Sequence, residues 1–467
     1  MVYNIKVIFD SVPNGLPLDF ITLPQLLQSY RNYTTSMIGK WHLGFYEEAY
    51  LPYNRGFDEF YGYFTGNVEY WNHTSPCFGC GNYTALDLGV KEKGTNIYTP
   101  ITNASGIYST NLFTTRAVNV IQNYANEQTN KQLRNEPVQP LFLYLAYEAV
   151  HGAANCIPDC ANPYGDLLQA PEYYINKNPQ IHNQNRSTFG GMISALDDGI
   201  GNITKILQST GLWDNTVIIF TSDNGAPSGG FNGTAMTNFP YKGEKGQLWE
   251  GGVHVPAFVG GGANIPFLTR GVKYDGLLHA MDLYPTIASG IANIPETSLP
   301  PNLDGYNVWN TLLNGGISPR TEALIHIEPI FNWTGIRSTD WKLLTGMPPG
   351  QYWGMMNDTE YVQHSSEILT NEQPILVQDL SIAADILTNE TLLRVVPLTA
   401  TTPIYLYNIT ADPIESNNVA KIYESVVTEL LDRIAYYAQG AVPCRYPAPD
   451  PNGNPAENNR TYWFSWE

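Results

Sequence analysis

Residues 216–225 read Thr-Val-Ile-Ile-Phe-Thr-Ser-Asp-Asn-Gly. The run from Thr216 to Thr221 is dominated by β-branched and aromatic residues, the composition of a strand buried in a sheet. It stops at Ser222-Asp223-Asn224-Gly225, which is good turn chemistry and also delivers a carboxylate and an amide oxygen. Upstream, Met192 to Leu207 carries apolar residues at helical spacing. Leu141 to Tyr147 is a second continuous apolar run, the pattern of a strand covered on both faces, and it ends just before His151. Near the start, Leu23 to Tyr30 reads as a helix with Leu23, Leu26, Leu27 and Tyr30 on one face. Thr22 can cap it and Gln25 can complete a capping box. Thr34 to Ile38 then reads as a strand, followed by Gly39-Lys40-Trp41-His42-Leu43-Gly44. Helices alternating with buried strands define an α/β fold around a parallel sheet.

The order of these pieces matters more than each alone. Lys40 with His42, then His151, then Asp223 with Asn224, each lie just past a predicted strand. In open parallel sheets, ligands bind at that edge. Three separate strands therefore bring polar, metal-competent residues to one rim.

From about residue 319 the pattern changes. Ala323–Ile327, Trp341–Leu344 and Ile404–Tyr407 read as short antiparallel strands. An amphipathic helix is predicted over Asn418–Ala438, with Val419, Ile422, Val426, Leu430, Ile434 and Tyr437 on one face. The expected organisation is a large α/β domain over 1–318 and a smaller α+β unit over 319–467. At 467 residues the chain is about three times the usual size of one domain, which accommodates both.

Apolar residues make up 43% and charged residues 14%, which excludes a disordered chain or a coiled coil. Lys and Arg number 24 against 43 Asp and Glu, for a net charge of −19. That acid excess opposes nucleic-acid binding, which needs a basic surface. It also means that an anionic ligand must be held by a few local cations against the global field. No apolar run approaches the roughly 18 residues needed to span a bilayer.

Twelve Asn-x-Ser/Thr sequons occur, at Asn32, Asn72, Asn82, Asn103, Asn185, Asn202, Asn232, Asn332, Asn357, Asn389, Asn408 and Asn459. Their spread favours a glycosylated protein of the secretory pathway, extracellular or lysosomal. Cys77 with Cys80, and Cys156 with Cys160, have spacings short enough for local disulfides, which agrees with that route. A Cys-x-x-Cys can also bind zinc or do redox work, but no second thiol pair has zinc spacing. Cys444 is left over. Met1 to Asp10 lacks the apolar core and cleavage site of a signal peptide. The expectation is that a segment upstream is missing.

Each candidate has an ordinary reading beside the chemical one. Asp223-Asn224 offers hard oxygens for Ca²⁺ or Mg²⁺, or simply makes a turn. Lys40 and His42 can together bind an oxyanion and move protons, or sit on the surface. His151 is a loop histidine that reaches the same rim. Lys245 lies in Gly243-Glu244-Lys245-Gly246, where glycines let backbone approach a ligand. Asp197 and Asp198 are adjacent on a helix and diverge by about 100°, so a solvated face is the better reading. His279 reads as a local structural residue, and His254 as a residue that could border the rim.

Taken together these residues resemble the sulfatase family, within the alkaline-phosphatase superfamily. The resemblance rests on Gly39-Lys40-Trp41-His42-Leu43-Gly44, Gly56-Phe57-Asp58, Ser222-Asp223-Asn224-Gly225, Leu248-Trp249-Glu250-Gly251-Gly252 with Lys245, His279 to Thr286, and Asp412-Pro413-Ile414-Glu415. It covers essentially the whole chain and is nearest among the arylsulfatases. The resemblance implies a large mixed, mostly parallel sheet sandwiched by helices, with a smaller C-terminal domain carrying an antiparallel sheet. It implies a sulfuric ester hydrolase acting on a sulfated carbohydrate or aryl sulfate ester. A formylglycine made from a Cys-x-Pro-Ser-Arg cysteine would attack sulfur, and Ca²⁺ would polarise the sulfate. Asp223 and Asn224 would be metal ligands, and Lys40, His42, His151 and Lys245 would bind sulfate and assist the leaving oxygen.

The sequence departs from that pattern in two respects. It holds no Cys-x-Pro-Ser-Arg and no Asp-Asp after an N-terminal strand. Ser11-Val12-Pro13-Asn14-Gly15 only begins like a serine-type variant. Two readings follow: an arylsulfatase lacking its nucleophile segment and inactive as written, or a non-catalytic sulfatase-like secreted or structural glycoprotein.

Overall fold

The computed structural model describes residues 8–77, 83–153, 167–227, 236–266, 270–328, 331–347, 374–393, 396–442 and 447–467. Helix α1, Leu23–Arg31, starts as its sequence dictates: the Gln25 backbone N–H donates to the Thr22 hydroxyl, and Gln25 Oε1 accepts from Thr22 N at 2.9 Å. Asn32, left-handed at φ 53°, ends it. Strand β1, Thr34–Lys40, follows and is buried throughout except at Lys40.

β1 lies inside a five-stranded sheet with β2 (Glu59–Tyr63), β3 (Gly89–Lys91), β4 (Tyr98–Pro100) and β5 (Leu141–Ala146), in the order β4-β3-β2-β1-β5. β1 pairs in parallel with β2 and β5, placing Ile38 opposite both Tyr61 and Leu145. β3 and β4 add antiparallel pairings on the outer side. Successive strand residues point to opposite faces. Met37 accordingly joins Phe57, Phe60 and Trp463 on one face, while Ile38 joins Tyr63, Phe113 and Ala117 on the other. The last two come from α2 (Ser109–Leu133), which packs beside α3 (Gln184–Ser209). α3 begins well before the predicted Met192, because Asn183 caps it by accepting from Arg186 N at 3.1 Å.

Two expectations need correction. Leu141–Tyr147 was expected to be covered on both faces, yet β5 is half-buried and Tyr144 is 49% exposed. Among the described residues it is an end strand with β1 as its sheet neighbour. The 216–221 run was expected to belong to the parallel sheet. Instead β6 (Val217–Thr221) pairs antiparallel with β7 (Ala257–Gly261) in a two-stranded sheet, and Phe220 stacks on Phe258 at 5.0 Å. An apolar run signals a strand but carries no information on its partner or direction.

The C-terminal part forms an antiparallel sheet from β8 (Glu322–Glu328), β9 (Trp333–Ser338), β10 (Trp341–Thr345), β11 (Ile375–Leu376) and β12 (Pro403–Asn408), in the order β8-β9-β10-β12-β11. Its core unites Ile336, Leu343 and Leu406 with Val427, Leu430 and Ile434 of α4 (Glu424–Ala438). α4 starts at Glu424 rather than the expected Asn418. Asn418 is tied to β12 instead: its Oδ1 accepts from Leu406 N at 3.0 Å and its Nδ2 donates to Ile404 O at 2.9 Å. Ile422, predicted on the buried face, is 72% exposed. Hydrophobic packing crosses residue 319, since Leu248 and Trp249 share a cluster with Leu344, Tyr405 and Tyr407. We propose the 1–318 and 319–467 division on the change of sheet type alone.

Candidate active site

Lys40 is the last residue of β1, and His42 follows two residues on with φ 54°. That left-handed conformation is uncommon for a non-glycine residue. It is held by His42 N donating to Phe64 O at 3.1 Å. Gly66 leaves space for the ring, since a Cβ there would lie 3.0 Å from the imidazole. The Ile8 carbonyl hydrogen-bonds His42 as well. His151 sits in the loop after β5. Its N–H donates to Glu148 O at 2.8 Å, and the Tyr70 hydroxyl donates to its carbonyl at 2.9 Å. His151 Nδ1 lies 2.8 Å from Gly152 O, which assigns the ring proton to Nδ1 and leaves the Nε2 lone pair free to accept. Lys245 Nζ reaches that Nε2 at 3.3 Å.

The Lys245 loop and the Asp223-Asn224 turn are stitched together. Lys245 N donates to Ala226 O at 3.1 Å, and Gly225 N donates to Gly252 O at 3.0 Å. Gly225 must be glycine, because a Cβ would meet Gly251 O at 1.7 Å.

Electrostatics draw the candidates into one neighbourhood. Burial lowers the Lys40 pKa; Lys245 adds to that, while Asp223, Glu148 and Asp10 oppose it. Burial, then Lys40, His151 and Lys245, hold His42 at about 3. Burial, then Lys245 and Lys40, hold His151 at about 4. Four basic groups therefore press on each other, and an anion among them would relieve that repulsion.

Sequence reasoning missed Glu148 and Asp10. Glu148 is fully buried beyond β5 and accepts from Ser109 Oγ at 2.7 Å, and burial pushes its carboxyl up to about 8. A lone acid directly after an apolar strand was the available signal. Asp10 is 4% exposed and acts on Lys40.

His279 Nδ1 accepts from Met281 N at 3.1 Å, and Asp282 is in turn gripped by Arg320, so His279 serves local structure. His254 lies 3.1 Å from Glu250 and packs at a tilt against the Tyr241 ring, 4.6 Å between centroids. Asp197 is exposed, and Asp198 meets Lys177 on the helix surface at 2.5 Å. Ser11 is buried, its carbonyl accepting from Asp450 N at 2.7 Å in the C-terminal tail. Cys77 is disulfide-bonded and buried. Cys80, Cys156, Cys160 and Cys444 lie outside the described residues, as do Asn82, Asn232 and Asn357. Asn32, Asn72, Asn103, Asn185, Asn202, Asn332 and Asn459 are exposed; Asn389 and Asn408 are half-buried.

A metal was weighed against the residues present. Asn224 Nδ2 donates to Gly225 O at 3.0 Å, so its amide nitrogen is the atom engaged, and the neighbouring Asp223 is exposed. These two side chains offer suitable oxygens, whereas Ca²⁺ takes roughly six to eight. Among the described residues no group of three or more His, Cys, Asp and Glu could hold an ion. Asp223 and Asn224 alone do not fit a calcium site.

The fold is of the alkaline-phosphatase type, with a basic, anion-suited cluster past its strand ends. The sequence profile of the sulfatase family matches residues 2–291, and the chain belongs to that family. Arylsulfatase J of Mus musculus is 33% identical over 99% of this chain and 69% of its own length. N-acetylgalactosamine-6-sulfatase of Homo sapiens is 28% identical over 75% of this chain and 57% of its own length. The chain thus spans about half to two thirds of these relatives. The crystal structure of Ps i-CgsB superimposes with a TM-score of 0.65 at 24% identity, covering 98% of this chain and 81% of that one. That protein has also been solved in complex with k-i-k-neocarrahexaose.

Proposed function

We propose that this chain binds the sulfate group of a sulfated carbohydrate or aryl sulfate ester at Lys40, His42, His151 and Lys245. The observation that carries the reading is the mutual charge pressure centred on the 3.3 Å contact between Lys245 Nζ and His151 Nε2. A tetrahedral dianion offers oxygens to several donors at once and answers the repulsion among them. Lys40 and Lys245 supply fixed positive charge. His42 and His151, neutral without ligand, can take up a proton as the anion arrives and then donate hydrogen bonds to its oxygens. The arylsulfatase and N-acetylgalactosamine-6-sulfatase relatives support sulfate as the anion and a sugar as its carrier.

These 467 residues contain no Cys-x-Pro-Ser-Arg, so no formylglycine precursor is among them. The reading for this polypeptide is therefore recognition without turnover. A non-catalytic sulfatase-like glycoprotein is the second reading, and the same missing motif favours it. The secretory route is part of the proposal, supported by the twelve sequons and the disulfide-bonded Cys77. No helix among the described residues is long and apolar enough to cross a membrane.

Calorimetric titration with inorganic sulfate and with a sulfated N-acetylgalactosamine tests the binding reading, and an aryl sulfate assay tests turnover. Saturable binding lost in Lys245→Ala is expected, with hydrolysis at background. No saturable binding overturns the sulfate-binding reading; calcium-dependent hydrolysis overturns both recognition without turnover and the non-catalytic reading.

A further inference from the structure

A buried charge cluster joins the C-terminal sheet to the loop that carries Lys245. Lys342, on β10, is fully buried, and its Nζ lies 2.8 Å from Glu250 Oε1 and 2.9 Å from Glu415 Oε1. Glu415 is itself fully buried, and its Oε2 accepts from the Glu250 backbone N–H at 2.7 Å. The Arg337 guanidinium on β9 also acts on the carboxylates, and His254 Nδ1 lies 3.1 Å from Glu250 Oε2. Burial raises the Glu415 carboxyl. Burial acts to raise Glu250 too, but Lys342 and His254 outweigh it and hold Glu250 below the usual carboxylate range.

The place where this cluster grips the chain is the important point. Glu250 is followed by Gly251 and Gly252. Gly251 N donates to Lys242 O at 2.6 Å, which closes the Lys242–Gly251 loop around Lys245. Gly252 O accepts from Gly225 N, which anchors the Asp223-Asn224 turn. One tripeptide thus holds both the lysine loop and the turn, and Lys342 and Glu415 hold the tripeptide. A buried ion pair is a weak source of net stability. Breaking one leaves a charge unpaired, and the backbone it anchors must move to reach water.

We infer that Lys342 and Glu415 are positioning residues for the anion site, setting through Glu250 where Lys245 and the Asp223-Asn224 turn stand. The inference rests on the sulfate-binding reading only for its consequence in affinity. The geometric claim is readable on its own, because Lys245 sits on His151.

The test is histidine-selective NMR titration of the full chain, with and without inorganic sulfate, for wild type, Lys342→Met, Lys342→Arg and Lys245→Ala. In Lys342→Met, Lys245 leaves His151, so the His151 pKa rises from about 4. Sulfate affinity falls about tenfold. Lys342→Arg restores both. Adding Lys342→Met to Lys245→Ala weakens sulfate no further, which a general structural defect would not reproduce. A folded Lys342→Met with wild-type His151 titration overturns the inference. Wild type that ignores sulfate would remove the sulfate reading, and the His151 shift would still decide the positioning role. If Lys342→Met does not fold, Glu415→Gln is read in the same way. It keeps an oxygen for Glu250 N while removing the charge, and an unmoved His151 again overturns the inference.

Discussion

Lys245 Nζ stands 3.3 Å from His151 Nε2, joining residues 94 positions apart in sequence. His151 is oriented by Gly152 O on its other nitrogen, so the contact places a cation against a fixed lone pair. Such an arrangement keeps the imidazole neutral until an anion arrives.

Removing that cation should show in His151 itself. Burial is the larger cause of its low pKa and Lys245 the next, so Lys245→Ala should raise the value from about 4 without restoring it to 6.5. Sulfate affinity should drop about tenfold, equivalent to about 1.4 kcal/mol. NMR titration of His151 together with calorimetry checks both; an unchanged pKa would show the contact to be inconsequential.

Acid should destabilise the fold through His42 and His151. Their folded pKa values, about 3 and about 4, lie below the ordinary histidine value of 6.5. The unfolded chain therefore binds more protons between those values, and stability falls as pH drops from about 6.5 to about 4. Sulfate should soften this loss, since an anion favours the protonated rings. Thermal melts at pH 7, 6, 5 and 4, with and without sulfate, measure it. A sulfate effect that does not grow on acidification counts against the idea.

Glu148 should act in the opposite direction. Its folded pKa of about 8 exceeds the ordinary glutamate value of 4.5, so the native state binds more protons between the two. Stability from this group is present below 4.5 and lost as pH rises through 8. Glu148→Gln keeps a neutral acceptor for Ser109 and should raise the melting temperature at pH 8, by about 1 °C for each kcal/mol recovered. At pH 4 it should change little. Equal effects at both pH values would refute the assignment.

Gly39 is a steric lock between β1 and β5. Its φ is +100°, and a Cβ there would sit 1.9 Å from Ala146 O. Gly39→Ala should cost about 3 kcal/mol or more, from the strained backbone and the parted strands together. Chemical denaturation measures it. A cost under about 1 kcal/mol would mean that the strands part freely.

Much of this protein was legible in its sequence because the relevant signals are local. The Thr22–Gln25 capping box is a four-residue pattern, and α1 forms where it predicts. Thr34–Ile38 and Leu141–Tyr147 read as strands, and strands form at Thr34–Lys40 and Leu141–Ala146. The candidate residues follow strand ends, which is a matter of order along the chain. The ordered motifs that resemble the sulfatase family are local as well, and the profile match over residues 2–291 agrees with them.

What needed the tertiary structure depends on partners distant in sequence. The antiparallel pairing of 217–221 with 257–261, the release of Asn418 from the final helix, and the buried Glu148 are all set by contacts that no local window contains. The same holds for Lys342, which sequence alone presents as one lysine in a short strand. Only folding takes it out of water and places it between Glu250 and Glu415. In that low-dielectric interior an ion pair becomes strong and directional, so it can fix a loop. Sequence determined which residues are available and on which elements; packing and burial decided which of them carry charge, and against what.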